Sequence, residues 1–122
     1  MPYSIEWTKE GALAYYTGLL SADDIIRSES EITDSQQYRT LRYVIADFLN
    51  AQHPEMSERE CQRVRALRLS GFYANPRIKL SFITDDSKVK RAIERSVIEG
   101  QTLHTTSVFS TFEAAMAWAT AM

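Results

Sequence analysis

After an opening hairpin pattern, short β-type runs alternate with amphipathic helical runs. Three of the four helical runs begin with Ser-x-x-Asp/Glu: Ser21–Asp24, Ser57–Glu60 and Ser110–Glu113. In such a start the serine oxygen accepts from a free amide of the first turn, and the acid three residues on reaches back to the cap amide. The order reads ββαβαβαβα. Strands separated by single helices imply right-handed crossovers and a mostly parallel sheet.

Individual segments refine this order. Residues 3–7 and 12–20 are β-type, with Lys9-Glu10-Gly11 as their turn, and Gly11 is assigned the positive-φ position such turns often need. Leu41 to Leu49 reads as the third strand. Its run Tyr43-Val44-Ile45-Ala46 is continuously apolar, as in a central strand covered on both faces. Arg77 to Thr84 alternates strictly: Ile78, Leu80 and Phe82 point one way, Arg77, Lys79 and Ser81 the other. That alternation predicts a sheet face open to water or to a partner. The expected architecture is therefore two layers, with a mixed, mostly parallel sheet and the helices on one face. Asp85 or Asp86 starts the third helix, Gly100 ends it, Leu103 to Phe109 forms the last strand, and Ser110 caps the final helix.

A chain of 122 residues with 44% apolar and 25% charged content suits one soluble domain, 1–122. The net charge of −2 offers no electrostatic case for a nucleic-acid binder. The single cysteine, Cys61, rules out an intrachain disulfide and fits a reducing compartment. No run approaches the ~18 apolar residues of a membrane span, and the first residues lack the basic and apolar regions of a signal peptide. A cytoplasmic location is the expectation.

No Gly-rich phosphate loop, Gly-x-Ser-x-Gly, Cys-x-x-Cys or His-Glu-x-x-His occurs, so neither catalysis nor a cofactor or metal is predicted. The candidate residues cluster where the central strand ends, the usual ligand end of open α/β sheets. Asp47 closes that strand and serves either a site or the loop amides. His53 lies in the following loop with Glu55, as a plain loop histidine or a functional one. Ser57 caps the second helix, and a phosphate on it would meet the positive helix end with Arg59 close by. Cys61 falls toward the core stripe with Val64, Leu67 and Gly71. The arginines at 59, 63, 65 and 68 spread over a wide arc and read as a solvated face, with Leu69 among them as an exposed apolar contact. His104 reads as structural or surface.

Four stretches together resemble the STAS/Sec14-like, sporulation antagonist-like family of small bacterial proteins. They are Tyr3-Ser4-Ile5-Glu6-Trp7, the run from Leu41 to Phe48, Asn75-Pro76-Arg77-Ile78-Lys79, and the ending from Val108 to Trp118. The resemblance implies a two-layer β-α superhelix. It also implies, from anti-sigma-factor antagonists in the family, binding of a partner kinase and a switch by serine phosphorylation in an Asp-Ser-x-Gly loop at the second helix. Here that region is Glu55-Met56-Ser57-Glu58-Arg59, with the acid offset and the glycine absent. The function expected is a non-enzymatic protein-interaction or regulatory domain, acting through the 50–60 loop, the arginine-bearing helix or the open sheet face. The alternative is a small-molecule or lipid binder, suggested by the supply of aromatic residues. An enzyme using His53 with Asp47 or Glu55 is a third reading. Pairing with a second copy through the open face is a further expectation.

Overall fold

The computed structural model describes residues 2–98 and 104–121, with the side chains of residues 96–98 outside the description. The elements follow the expected order: β1 (Tyr3–Trp7), β2 (Gly11–Leu19), α1 (Ala22–Thr33), β3 (Tyr43–Gln52), α2 (Glu58–Ala74), β4 (Lys79–Ile83), α3 (Ser87–Ile98), β5 (Thr105–Phe109) and α4 (Phe112–Thr120). A 3₁₀ turn, Tyr38–Thr40, precedes β3. The five strands lie in sequence order, β1-β2-β3-β4-β5. β1 pairs antiparallel with β2, and the remaining pairs are parallel.

Sequential right-handed crossovers that always add the next strand on the same side put every crossing helix on one face. α1 and α3 bury Ile25, Ile32, Val89 and Ile93 in the same cluster as Ala14, Val44, Ala46 and Phe82. α2 crosses there too, with the Arg68 guanidinium 5.7 Å from the centre of the Phe82 ring. The crossing helices thus form the expected layer. α4 differs, because it follows the last strand and crosses to no further one. It turns back under the opposite face, where Ala115 and Ala119 pack with Leu13, Tyr43, Ile45 and Ile83. The one-face expectation therefore holds for α1–α3 and is corrected for α4. The face expected to be open at Lys79 and Ser81 is covered there: Ser81 is fully buried, and Lys79 Nζ donates to the carbonyls of Trp118 (3.1 Å) and Ala121 (3.0 Å). The ammonium also lies 5.3 Å from the Trp118 ring centre. A cation at a helix C-terminus adds a donor to the terminal carbonyls, here to that of Ala121 and to that of Trp118, which also takes the Ala121 amide at 3.4 Å, so the alternating lysine tethers α4 to the sheet.

Capping was legible for two of the three serine starts. Ser21 and Ser57 each form the full reciprocal box with Asp24 and Glu60. At α4 the cap is Thr111, whose side chain accepts from the Ala114 amide at 3.2 Å, and not Ser110. Starting the helix there makes Glu113 one residue too early to complete a box. Asp86 caps α3 through its Oδ1, which accepts from Lys88 and Val89 amides. Gly100 and Leu103 lie outside the described residues.

Gly11 is also corrected. Gly18 (φ +77°), and not Gly11, is the positive-φ glycine of the described residues. Gly11 is needed for space, because a Cβ there would run into the Tyr43 ring, whose hydroxyl is bonded to Thr8 Oγ1 at 2.7 Å.

The aromatic side chains pack on one another in a row across four strands. Tyr3 adjoins Tyr16 (6.2 Å), Tyr16 stacks on Phe48 (4.5 Å, 4° between planes), and Phe48 adjoins Phe82 (6.3 Å). Offset stacking of this kind adds to the area buried. Tyr16 is closed off by Ser28 of α1, oxygen to oxygen 2.6 Å.

Asn75, only 2% exposed, joins the layers at the end of α2. Its Nδ2 donates to the carbonyls of Tyr38 and Leu41, both at 2.8 Å, and its Oδ1 accepts from the Arg77 amide at 3.1 Å. The Tyr38 carbonyl also accepts from the Leu41 amide at 3.2 Å, so removing the Asn75 side chain takes the partner chiefly from the Leu41 carbonyl and the Arg77 amide, at about 1–3 kcal/mol per group. Asn75→Ala is expected to destabilise the protein by ~2–4 kcal/mol, read as a lower urea midpoint with an unchanged slope.

A candidate site at the β3–α2 connection

The end of β3 carries an irregularity. Its register with β2 runs residue for residue to Tyr15↔Asp47 and then jumps to Thr17↔Asn50, so β3 holds one extra residue. An extra residue leaves amides outside the ladder. Asp47 Oδ1 accepts from one of them, Leu49 N, at 2.9 Å. Asp47 shares the face of Tyr43, Ile45 and Tyr15, the α4 side.

His53 lies on the other side. Its ring packs against Phe48 at 5.6 Å, and Nδ1 donates to the Pro54 carbonyl at 2.9 Å. The pairing of His53 with Asp47 is thus absent, because the sheet separates them, and Glu55 is exposed. Ser57 is exposed at the first turn of α2. Its Oγ accepts from Glu60 N at 3.2 Å and its own amide donates to Glu60 Oε1 at 2.9 Å. Arg59, the second residue of α2, is exposed. His53 thus lies on the helix side of the sheet, Ser57 and Arg59 follow at the start of α2, and Asp47 faces the α4 side.

Beside His53 lies a polar pair that the wide arc of arginines on α2 would leave in solvent. Arg68 Nε donates to Glu29 Oε1 at 3.0 Å, with the arginine side chain only 10% exposed. Glu29 Oε2 is buried without a hydrogen-bond partner. Arg68 is thus corrected from the solvated set. The signal was available: Glu29 falls four residues after Ile25 and three before Ile32, and Arg68 four after Val64 and three before Gly71. Both occupy apolar-stripe positions, and a charge there predicts a paired, buried ion. Leu67 is only half-buried, and so is Cys61.

Two small cavities flank the pair. One of ≈ 30 Å³ touches Glu29, Arg68, His53, Tyr16 and Phe48; another of ≈ 50 Å³ touches Glu29, Arg68, Tyr38, Gly71 and His104. Ligand sites start at about 300 Å³, and these volumes suit single waters. Burial is the larger cause pushing His53 below its ordinary 6.5. Arg68 pushes the same way, against the Pro54 carbonyl and Glu29. His104, buried with Nε2 2.8 Å from the Asn75 carbonyl and its ring edge-on to Phe72, is also pushed down by burial, against that carbonyl bond. Among the described residues no group of three His, Cys, Asp or Glu side chains could hold a metal ion. None of the described helices is long and apolar enough to cross a membrane.

The same architecture occurs in solved structures. The anti-sigma factor antagonist SpoIIAA in its unphosphorylated form superposes with a TM-score of 0.63, covering 95% of this chain and 94% of that one at 14% identity. The fold is STAS-like. The Bacillus cell fate determinant SpoIIAA in its phosphorylated form matches this STAS-like chain with a TM-score of 0.58, 13% identity and coverage of 95% and 97%. No protein-family model and no curated protein sequence matches the chain. The STAS-like architecture expected from the four sequence stretches is therefore present, at identities that speak for fold alone.

Two measurements check the site. Ser57→Ala removes the side-chain acceptor of α2 and is expected to cost about 1 kcal/mol, whereas Ser57→Asp retains an acceptor and stays within a few tenths of wild type. The histidines set a pH dependence. Unfolded, both rings titrate near 6.5; folded, they titrate lower, so between those values the unfolded chain binds more protons. Their stabilisation is complete above pH 6.5 and is lost as pH falls through the folded pKa values. The urea midpoint is expected to decline as pH falls below 6.5, and to decline less in His104→Asn.

Proposed function

We propose that this chain is a non-enzymatic, regulatory protein-interaction domain that meets its partner with the rim made by His53, Ser57 and Arg59. The observation that supports this most is the end-to-end STAS-like match to an anti-sigma factor antagonist, solved with and without phosphate. The rim adds local reasons. Ser57 and Arg59 are exposed at the positive end of a 17-residue helix. His53 fixes the loop on Phe48 beside the Glu29–Arg68 pair, so the rim has a defined shape. Ser57 is the natural switch point. A phosphate on its Oγ would gain the first-turn amides and Arg59, and would repel Glu60, which now holds the cap closed. The small-molecule or lipid alternative has less support, since the aromatic rings fill the interior against one another. Pairing of two copies would have to use surface outside the strip that α4 covers.

A photo-cross-linking residue placed at Arg59, in the cell that makes this protein, is expected to trap a distinct second protein. The same residue at exposed Glu94 of α3 is expected not to. Ser57→Asp, which keeps the helix cap, is expected to change the Arg59 cross-linking yield by about tenfold, and Ser57→Thr to leave it unchanged. Only self-cross-links, or identical products from both positions, would refute the reading.

A further inference from the structure

The outer face of α2 names the chemistry of a partner, an inference that rests on the interaction-domain reading and deepens it. Arg59, Gln62, Arg63, Ala66, Leu69 and Tyr73 are all exposed. Their spacings of three and four residues place them on one continuous stripe of the helix. The stripe is polarised. Its N-terminal half carries Arg59 and Arg63, next to the positive end of the helix dipole. Its C-terminal half carries Ala66, Leu69 (45% exposed) and Tyr73 (74% exposed). Leu69 and Tyr73 are two of the three large apolar side chains that stand exposed among the described residues, and they are neighbours four apart. Phe72 supports Tyr73 edge-on at 6.0 Å.

Charge sharpens the picture. α2 holds four arginines and two glutamates, a surplus of two positive charges in a chain whose net charge is −2. Neither glutamate lies on the stripe. Glu60 is turned back to the Ser57 amide, and Glu58 faces Arg65 at 3.8 Å on the flank. Among the described residues Arg63 pairs with Asp23 of α1, at 3.8 Å with both side chains more than half exposed. An exposed pair of this kind contributes little and exchanges readily for a better partner.

We propose that this face receives an acidic amphipathic helix of a partner protein, with its carboxylates at Arg59 and Arg63 and its apolar residues seated on Leu69 and Tyr73. Helix-on-helix docking of an apolar ridge at i, i+3, i+4 spacing suits a surface of this shape. A second copy of the chain does not supply the complement. Its acid-rich helix, α1, buries its apolar stripe at Ile25 and Ile32. α3 is basic, and α4 has Glu113 as its only acid.

The probe is a fluorescent helix-forming peptide of about 16 residues with glutamates in one half and leucines at i, i+3, i+4 and i+7 in the other. Anisotropy is expected to show saturable binding, and amide shifts of the labelled protein to map to α2. Leu69→Ser/Tyr73→Ser and Arg63→Glu are each expected to weaken binding by about tenfold. Both variants alter exposed positions and are expected to keep the wild-type urea midpoint. Replacing the peptide's glutamates by lysines, or raising NaCl from about 0.05 to about 0.3 M, is expected to weaken binding by at least roughly tenfold. Equal binding of the glutamate and lysine peptides, or shifts that map away from α2, would overturn the proposal. So would preferential binding to phosphatidylglycerol vesicles, or concentration-dependent dimerisation that Leu69→Ser/Tyr73→Ser abolishes. An Arg59 cross-link that persists while the peptide fails to bind would remove this inference and leave the interaction-domain reading intact.

Discussion

Burial of β3 on both of its faces is the constraint from which the rest of the molecule follows. Tyr43, Val44, Ile45 and Ala46 are all buried, and their side chains point alternately to opposite sides. A parallel sheet with such a strand must be covered twice. The crossovers can cover only one side, since each adds its strand in the same direction. The second side therefore falls to α4, the one helix without a strand to lead to. Its small residues, Ala115 and Ala119, let it lie close on Ile45 and Ile83. Lys79 then closes its last turn.

Polar groups do the joining that apolar layers leave undefined. Apolar packing alone tolerates sliding of one layer over another. Asn75 fixes the end of α2 to the chain entering β3, and its carbonyl receives His104 at the entry to β5. The Glu29–Arg68 pair fixes α1 to α2 at a definite register, with the guanidinium resting on Phe82. Breaking one partner of such a pair strands a buried charge, which is why the pair acts as a registry device as well as an attraction. Of the candidate residues, His53 lines the same small cavity as this joint.

Much of this was readable in one dimension. The β/α alternation, the capping boxes at Ser21 and Ser57 and the continuous apolar run of β3 all express local rules, and each stands in the fold. The misreadings share a cause. The turn pattern points to a positive φ at Gly11, whereas a ring 32 residues along the chain decides its identity. Ser110 has the same local pattern as Ser57, yet packing of Ala115 and Ala119 sets the helix frame and selects Thr111. Lys79 and Ser81 alternate as an open face would, and only the return of α4 covers them. Arg68 looked like one of four solvated arginines, although its spacing from Val64 and Gly71 already placed it inward.

For the candidate site the division is sharper. That the loop after the central strand leads into an N-capped helix with Ser57 and Arg59 in its first turn follows from spacing and hydrogen-bond chemistry. Which of its side chains share a surface does not. The sheet puts Asp47 on one face and His53 on the other, and no local pattern carries that separation across the extra residue in β3. The sequence by itself determined the order of elements, their caps and the strand that must be buried, because these depend on neighbours in the chain. The tertiary structure alone decided the side on which α4 lies, the Glu29–Arg68 joint, and the sorting of α2 into an inward arginine and an outward basic-apolar stripe. Each of those depends on contacts between residues far apart in the chain.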